Sequence, residues 1–144
     1  MGMPTDQVSN GNHSQKREVV DSLLVKTTKL SIGRQRRCVL LVDDDTDSLE
    51  ITAFILEQIG IYVVRASSAI AALKIFERQV PDLLISDIGM PEMDGYMLIR
   101  RIRQYPPSRG GDVPAIALTA YASREDNDMA IRAGFQQYVT KPVD

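Results

Sequence analysis

Leu83-Leu84-Ile85-Ser86-Asp87-Ile88-Gly89-Met90-Pro91-Glu92-Met93-Asp94-Gly95 is the stretch on which the fold turns. Three large apolar residues lead, through Ser86, into a lone acid, and a loop punctuated by proline and glycine follows. A short apolar run bounded by turn residues reads as a buried strand. Asp87 then stands where the strand leaves its sheet, the edge at which open α/β sheets place their chemistry. Alone, an acid in that position is equally well explained as a helix cap or a solvated loop residue. The residues around it decide between these readings.

Working outward, strands and helices alternate. Arg37–Val42 is a near-continuous apolar strand, as a central parallel strand should be. Asp45–Ile59 reads as a helix with Ile51, Phe54, Ile55 and Ile59 on its buried face and Gly60 as its stop. Tyr62–Ala66 is a second strand, and Ser67 is expected to cap a helix that buries Ala69, Ala72, Leu73 and Phe76. After the strand Leu83–Ser86 comes a helix over Tyr96–Gln104, with Leu98, Ile102 and Tyr105 inward. Ala115–Leu118 is the fourth strand, Ser123–Ala133 a helix stopped by Gly134, and Gln137–Thr140 the fifth strand. Five strands alternating with four helices predict one α/β domain of three layers, a doubly wound parallel sheet covered on both faces.

Upstream, residues 1–16 are rich in Gly, Asn, Ser and Gln and are expected to be a disordered tail. Val19, Val20, Leu23, Leu24, Thr27 and Leu30 recur at helical spacing, so 17–36 reads as an amphipathic helix and linker.

The 144 residues suffice for one sizeable core, and 44% hydrophobic with 25% charged residues is ordinary for a globular protein. No apolar run approaches the roughly 20 residues of a membrane helix, and no signal-peptide core is present. A single cysteine, Cys38, excludes an internal disulfide and fits the cytoplasm. Residues 1–37 hold seven Lys/Arg against three Asp/Glu, and the remainder ten against sixteen, so a +4 segment precedes a −6 body. An acidic body argues against nucleic acid as the main partner.

The strand ends carry the chemistry. Strand one ends in Asp43-Asp44-Asp45, where a nucleotide fold would need glycines, because three carboxylates repel phosphate. Adjacent acids there should collect a hard cation, and Mg²⁺ takes oxygen ligands. Strand three ends in Asp87, strand four in Thr119, and strand five in Lys141-Pro142. In a parallel sheet these ends share one edge. That edge would gather a metal-binding acid pair, a carboxylate nucleophile, a hydroxyl and an ammonium, which are the parts for phosphoryl transfer onto an aspartate.

With these residues in place the sequence resembles the receiver (phosphoacceptor) domain of two-component response regulators and hybrid histidine kinases. The matching motifs are Val39-Leu40-Leu41-Val42-Asp43-Asp44, Asp87-Ile88-Gly89-Met90-Pro91 with Met93-Asp94-Gly95, Leu118-Thr119-Ala120, and Tyr138-Val139-Thr140-Lys141-Pro142, within 37–144. The resemblance implies a flavodoxin-like sheet of strand order 2-1-3-4-5, an order for which a receiver protein is itself a standard example. It implies Asp87 as phosphoacceptor, and Mg²⁺ or Mn²⁺ held by Asp43, Asp44, Asp87 and the backbone carbonyl of Gly89. Lys141 and Thr119 would stabilise the phosphoryl group, Thr119 and Tyr138 would act as the switch, and Lys141-Pro142 would be a cis peptide. Gly89 and Tyr121 fall where receivers tune the lifetime of the phosphoryl group. The implied partner is a histidine kinase or histidine phosphotransfer protein, and a dimer stays open.

One departure is the end of the chain. Receivers finish with a fifth helix after the Lys-Pro, whereas this sequence stops at Val143-Asp144, so the usual last helix is missing; the chain reads as a stand-alone module or a receiver fragment of a larger hybrid kinase. The chemical rival is a Mg-dependent aspartate-nucleophile phosphatase, which places a general acid two residues after its nucleophile. That position is Gly89, which cannot serve. A docking module with a dead site is opposed by the intact set of three aspartates, threonine and lysine.

Overall fold

The computed structural model describes residues 37–120 and 123–141. The expected tail (1–16), the expected helix and linker up to residue 36, Tyr121 and the Lys141–Pro142 peptide lie outside those residues.

Five strands, β1 (Cys38–Val42), β2 (Tyr62–Ala66), β3 (Leu83–Asp87), β4 (Ala115–Thr119) and β5 (Gln137–Thr140), alternate with α1 (Thr46–Gln58), α2 (Ala69–Arg78), α3 (Gly95–Arg103) and α4 (Arg124–Ala133). All neighbours pair in parallel, in the order β2-β1-β3-β4-β5. β1, β3 and β4 are buried at every position, whereas β2, on the edge, buries only Val63 and Ala66. Burial on both faces is what the uninterrupted apolar runs foretold. Among the described residues four α-helices accompany the five strands.

Each helix begins on a side-chain cap. Asp45 accepts from the amides of Asp47 and Ser48, Ser68 from Ala71, Asp94 from Met97 and Ser123 from Asp126. Such caps satisfy amides that would otherwise lack a partner and contribute roughly 1 kcal/mol each. The second helix is capped by Ser68 rather than by Ser67, because its first turn starts one residue later than the sequence pattern suggests.

Helices α2, α3 and α4 cover one sheet face, packing Ala72, Phe76, Leu98, Ile102 and Ala130 against Leu40, Val42, Leu84 and Ala117. The opposite face carries Val39, Leu41, Leu83, Ile85, Ile116 and Leu118, and α1 meets it through Leu49, Ala53 and Leu56. The expected inner face of α1 is therefore corrected. Ile51 is 48% exposed, Phe54 61% and Ile59 39%, and Ile55 is only half-buried. Two apolar stripes run along this helix, and the slimmer one is chosen because the small Ala53 and Thr52 let the helix approach the sheet closely.

At the edge where the strands begin, buried Asp82 accepts the amide of Cys38 at 2.8 Å, tying the start of β1 to the start of β3. Arg103 performs a similar service near β5. Its guanidinium donates to the carbonyls of Gly134 (2.9 and 2.7 Å) and Gly111 (3.0 Å) and to Gln136 Oε1 (3.1 Å). Gln136 Oε1 also accepts from the Ala115 amide at 2.7 Å. These bonds fix the α4–β5 turn against β4, and hence where β5 ends.

The assignment of the α1 face has a direct check. Leu56→Ala should cost about 2–4 kcal/mol in urea unfolding, the usual range for a buried leucine. Phe54→Ala, although it removes a larger side chain, should cost under about 0.5 kcal/mol. The reverse ranking would restore the other stripe as the buried one.

Candidate functional site

Register builds the site. Val42 pairs with Ser86, Asp87 with Leu118, and Thr119 with Thr140. Asp43, Asp87, Thr119 and Lys141 therefore all emerge within about one residue of the same level, at the carboxyl edge of the sheet. The Lys141 amide extends the β4–β5 ladder by donating to the Thr119 carbonyl at 2.7 Å.

Asp43 is 1% exposed, Asp87 6% and Thr119 6%, whereas Asp44 lies open to solvent. Asp43 Oδ1 accepts the Asp45 amide at 3.0 Å. Its Oδ2 is buried and paired with Lys141 Nζ at 2.9 Å, a charge-assisted contact. Asp87 Oδ1 accepts the amide of Ile88 at 2.9 Å, and its Oδ2 lies 3.4 Å from the same ammonium. One cation is thus shared between two buried carboxylates.

Burial pushes the Asp87 carboxyl up from 3.8 to about 6, and the nearby Asp43 charge adds to the rise. Lys141 and the Ile88 amide pull in the other direction without restoring it. Burial would lower the Lys141 ammonium, but Asp43 and Asp87 outweigh it and hold the group above its ordinary range.

One carboxylate oxygen from each of Asp43, Asp44 and Asp87 falls within 4.8 Å of the others. Ligands of octahedral Mg²⁺ stand about 3 Å apart when adjacent and about 4.2 Å when opposite, given bonds near 2.1 Å. The cluster therefore needs only a small contraction to hold such an ion. The buried Asp43 and the solvent-facing Asp44 supply a fixed wall and an open entry.

Thr119 and Tyr138 are brought together. The Tyr138 hydroxyl hydrogen-bonds the Thr119 side chain and the backbone of Ser123, and its pKa is raised by burial and by Asp126. Tyr138 is half-buried against the core under α3 and α4.

Gly89 is exposed, and a Cβ built on it would meet nothing within 4 Å, so no packing demands a glycine there. Gly95, quoted from sequence only within the Met93-Asp94-Gly95 motif, is the opposite case. Its amide donates to the Ile88 carbonyl at 2.9 Å, closing the loop that follows Asp87. A Cβ there would run into the Asp87 carbonyl oxygen and approach Ile88 Cα to 2.8 Å. Glu92 in this loop takes a positive φ of 68°, a conformation unfavourable for a side-chain-bearing residue.

The response regulator receiver domain family profile matches residues 39–144. Over 106 residues the chain is 52% identical to an uncharacterized 14.6 kDa protein of Leptolyngbya boryana, covering 74% of this chain and 79% of that one. It is 31% identical over 126 residues to the sensor histidine kinase RcsC of Salmonella typhimurium, covering 88% of this chain but 13% of the kinase. Among solved structures, a CheY-like response regulator receiver domain protein from Methanospirillum hungatei superposes with a TM-score of 0.67 at 34% identity, covering 76% of this chain and 85% of that one.

Two outcomes follow from the geometry. A carboxyl whose folded pKa lies above its unfolded value binds protons more tightly in the native state, so its contribution to stability declines as pH rises from 3.8 to about 6 and is flat above. In metal-free buffer at pH 7.5, Asp87→Asn should therefore melt higher than the parent by about 1–3 kcal/mol equivalent. The gap should narrow at pH 4.5, and a constant gap would refute the strained carboxylate. Gly95→Ala should destabilise by about 1–3 kcal/mol, because backbone rather than a movable side chain blocks the methyl.

Proposed function

The chain belongs to the response regulator receiver domain family, and on that premise we propose that Asp87 accepts a phosphoryl group from a phosphohistidine donor. The observation that carries this is the buried Asp87 carboxylate, held at the sheet edge between one ammonium and two further acids. A carboxylate whose charge burial disfavours is the more basic and nucleophilic for it. One of its oxygens attacks phosphorus in line. An acyl phosphate P–O bond forms as the P–N bond to the donor imidazole breaks, and the imidazole keeps the bonding electron pair.

Asp43, Asp44 and Asp87, with the Gly89 carbonyl, are the residues proposed to hold Mg²⁺ or Mn²⁺. When bound, the ion neutralises charge on the phosphoryl oxygens. Lys141, 3.4 Å from Asp87, would exchange that contact for one with a phosphoryl oxygen. Thr119 is the hydroxyl able to turn toward that oxygen. Because Thr119 is bonded to Tyr138, such a turn would break or redirect that bond and alter the surface at β5 and α4. A stand-alone regulator and a receiver joined to a kinase present the same site to this chemistry. Gly89 offers no acid for repeated ester hydrolysis, which favours a regulator over a phosphatase. Among the described residues no helix is long and apolar enough to cross a membrane.

Intact mass spectrometry after incubation with acetyl phosphate and Mg²⁺ should show one added phosphoryl group, absent without the metal. Asp87→Asn should show none, and equal labelling of that variant would reject the assignment. Labelled ATP alone should transfer nothing, because the only histidine, His13, stands in a polar stretch and the sequence offers no nucleotide-binding loop. Asp44→Ala should abolish the response to Mg²⁺ with the melting temperature equal to or above that of the parent, since this side chain is exposed and surrounded by like charge. A large loss of stability would make Asp44 structural.

A further inference from the structure

The sheet face under α1 is more completely buried than α1 can account for. Its only described helical residues are Leu49, Ala53 and Leu56, and α1 packs over β1 and β2. Yet Leu83 and Ile85 on β3 are 0% and 2% exposed, and Ile116 and Leu118 on β4 are 1% and 3% exposed. β4 lies two strands from β1, about 10 Å at ordinary strand spacing, which is close to the width of one helix. Beside α1, a helix-wide strip of this face is thus covered by none of the described helices.

We propose that residues Arg17–Leu30 form the missing cover, lying over β3 and β4 beside α1. The fit rests on length, polarity and charge. Fourteen residues (17–30) of helix span about 21 Å, enough to run the length of a five-residue strand of about 17 Å. Residues 31–37 reach up to about 23 Å when extended, more than the two-strand step from the start of β1 to β4. A helix leading into β1 runs antiparallel to it, with its end near the strand's beginning. Val19, Val20, Leu23, Leu24 and Leu30 provide an apolar stripe that would otherwise be left without a partner. The +4 charge of residues 1–37 against the −6 of the remainder favours the contact weakly and in a salt-dependent way.

The test places a spin label on Lys26→Cys in a Cys38→Ala background of the full 144-residue chain and follows the methyl resonances of Ile85, Ile116 and Leu118. Strong broadening of those methyls, persisting when labelled chains are diluted with unlabelled, isotopically silent ones, is the expected result. Broadening that appears only between different chains would assign the face to a second copy and overturn the proposal, as would no broadening. In the same chain without the label, Leu23→Asp with Leu24→Asp should lower the melting temperature by about 5–10 °C and raise binding of an apolar dye. An unchanged melt and unchanged dye binding would also overturn it.

Discussion

Crowding of like charge at one sheet edge is the constraint from which the rest of the molecule follows. Three carboxylates meet within 4.8 Å, two of them almost out of water, and a single ammonium stands among them. In surroundings poorer in water than the bulk, such charges cannot be screened and must be answered by fixed partners. One lysine cannot answer three acids, which leaves the site about two positive charges short. That deficit matches a divalent ion, and it deepens when a phosphoryl group arrives. A site this unfavourable persists only if the scaffold holds it, so rigidity elsewhere is part of the chemistry.

The scaffold supplies that rigidity through register. Central strands buried on both faces cannot slip by a residue without turning their apolar side chains against packed helices. Asp43 and Asp87 inherit their level from β1 and β3 directly. Lys141 comes from an edge strand, whose hold is weaker, and the Arg103 bonds to the α4–β5 turn compensate. The loop after Asp87 is closed by the Ile88–Gly95 hydrogen bond, so Asp87 is clamped on both sides.

Strand limits and the acids at the strand ends were legible because each depends on local pattern: apolar runs, turn residues, an acid at a run's end; the order of the strands came only with the family resemblance. Legibility failed where the answer depends on what lies opposite. On α1, Leu49, Ala53 and Leu56 compete with Ile51, Phe54, Ile55 and Ile59, and no periodicity favours the slimmer stripe until the sheet is in place. Adjacent serines left the cap of α2 open to a one-residue error. Gly95 looked like turn punctuation, since the carbonyl of Asp87 that excludes a side chain there is visible only in three dimensions. The contact between Thr119 and Tyr138 bridges two strands in the same way.

Asp82 gives β3 a second buried aspartate at its other end. Both are buried aspartates at opposite ends of β3, separated by the length of one strand. At Asp82 one oxygen takes a neutral amide of β1. At Asp87 the partners are charged and incomplete. Burial is common to both; what Asp87 has besides is an ammonium that it divides with a second buried acid. An electrophile entering from solvent meets many acids on this surface, most of them hydrated and unremarkable. Selectivity among them arises from the arrangement of the sheet's two rims, one built as a seam and the other as a socket.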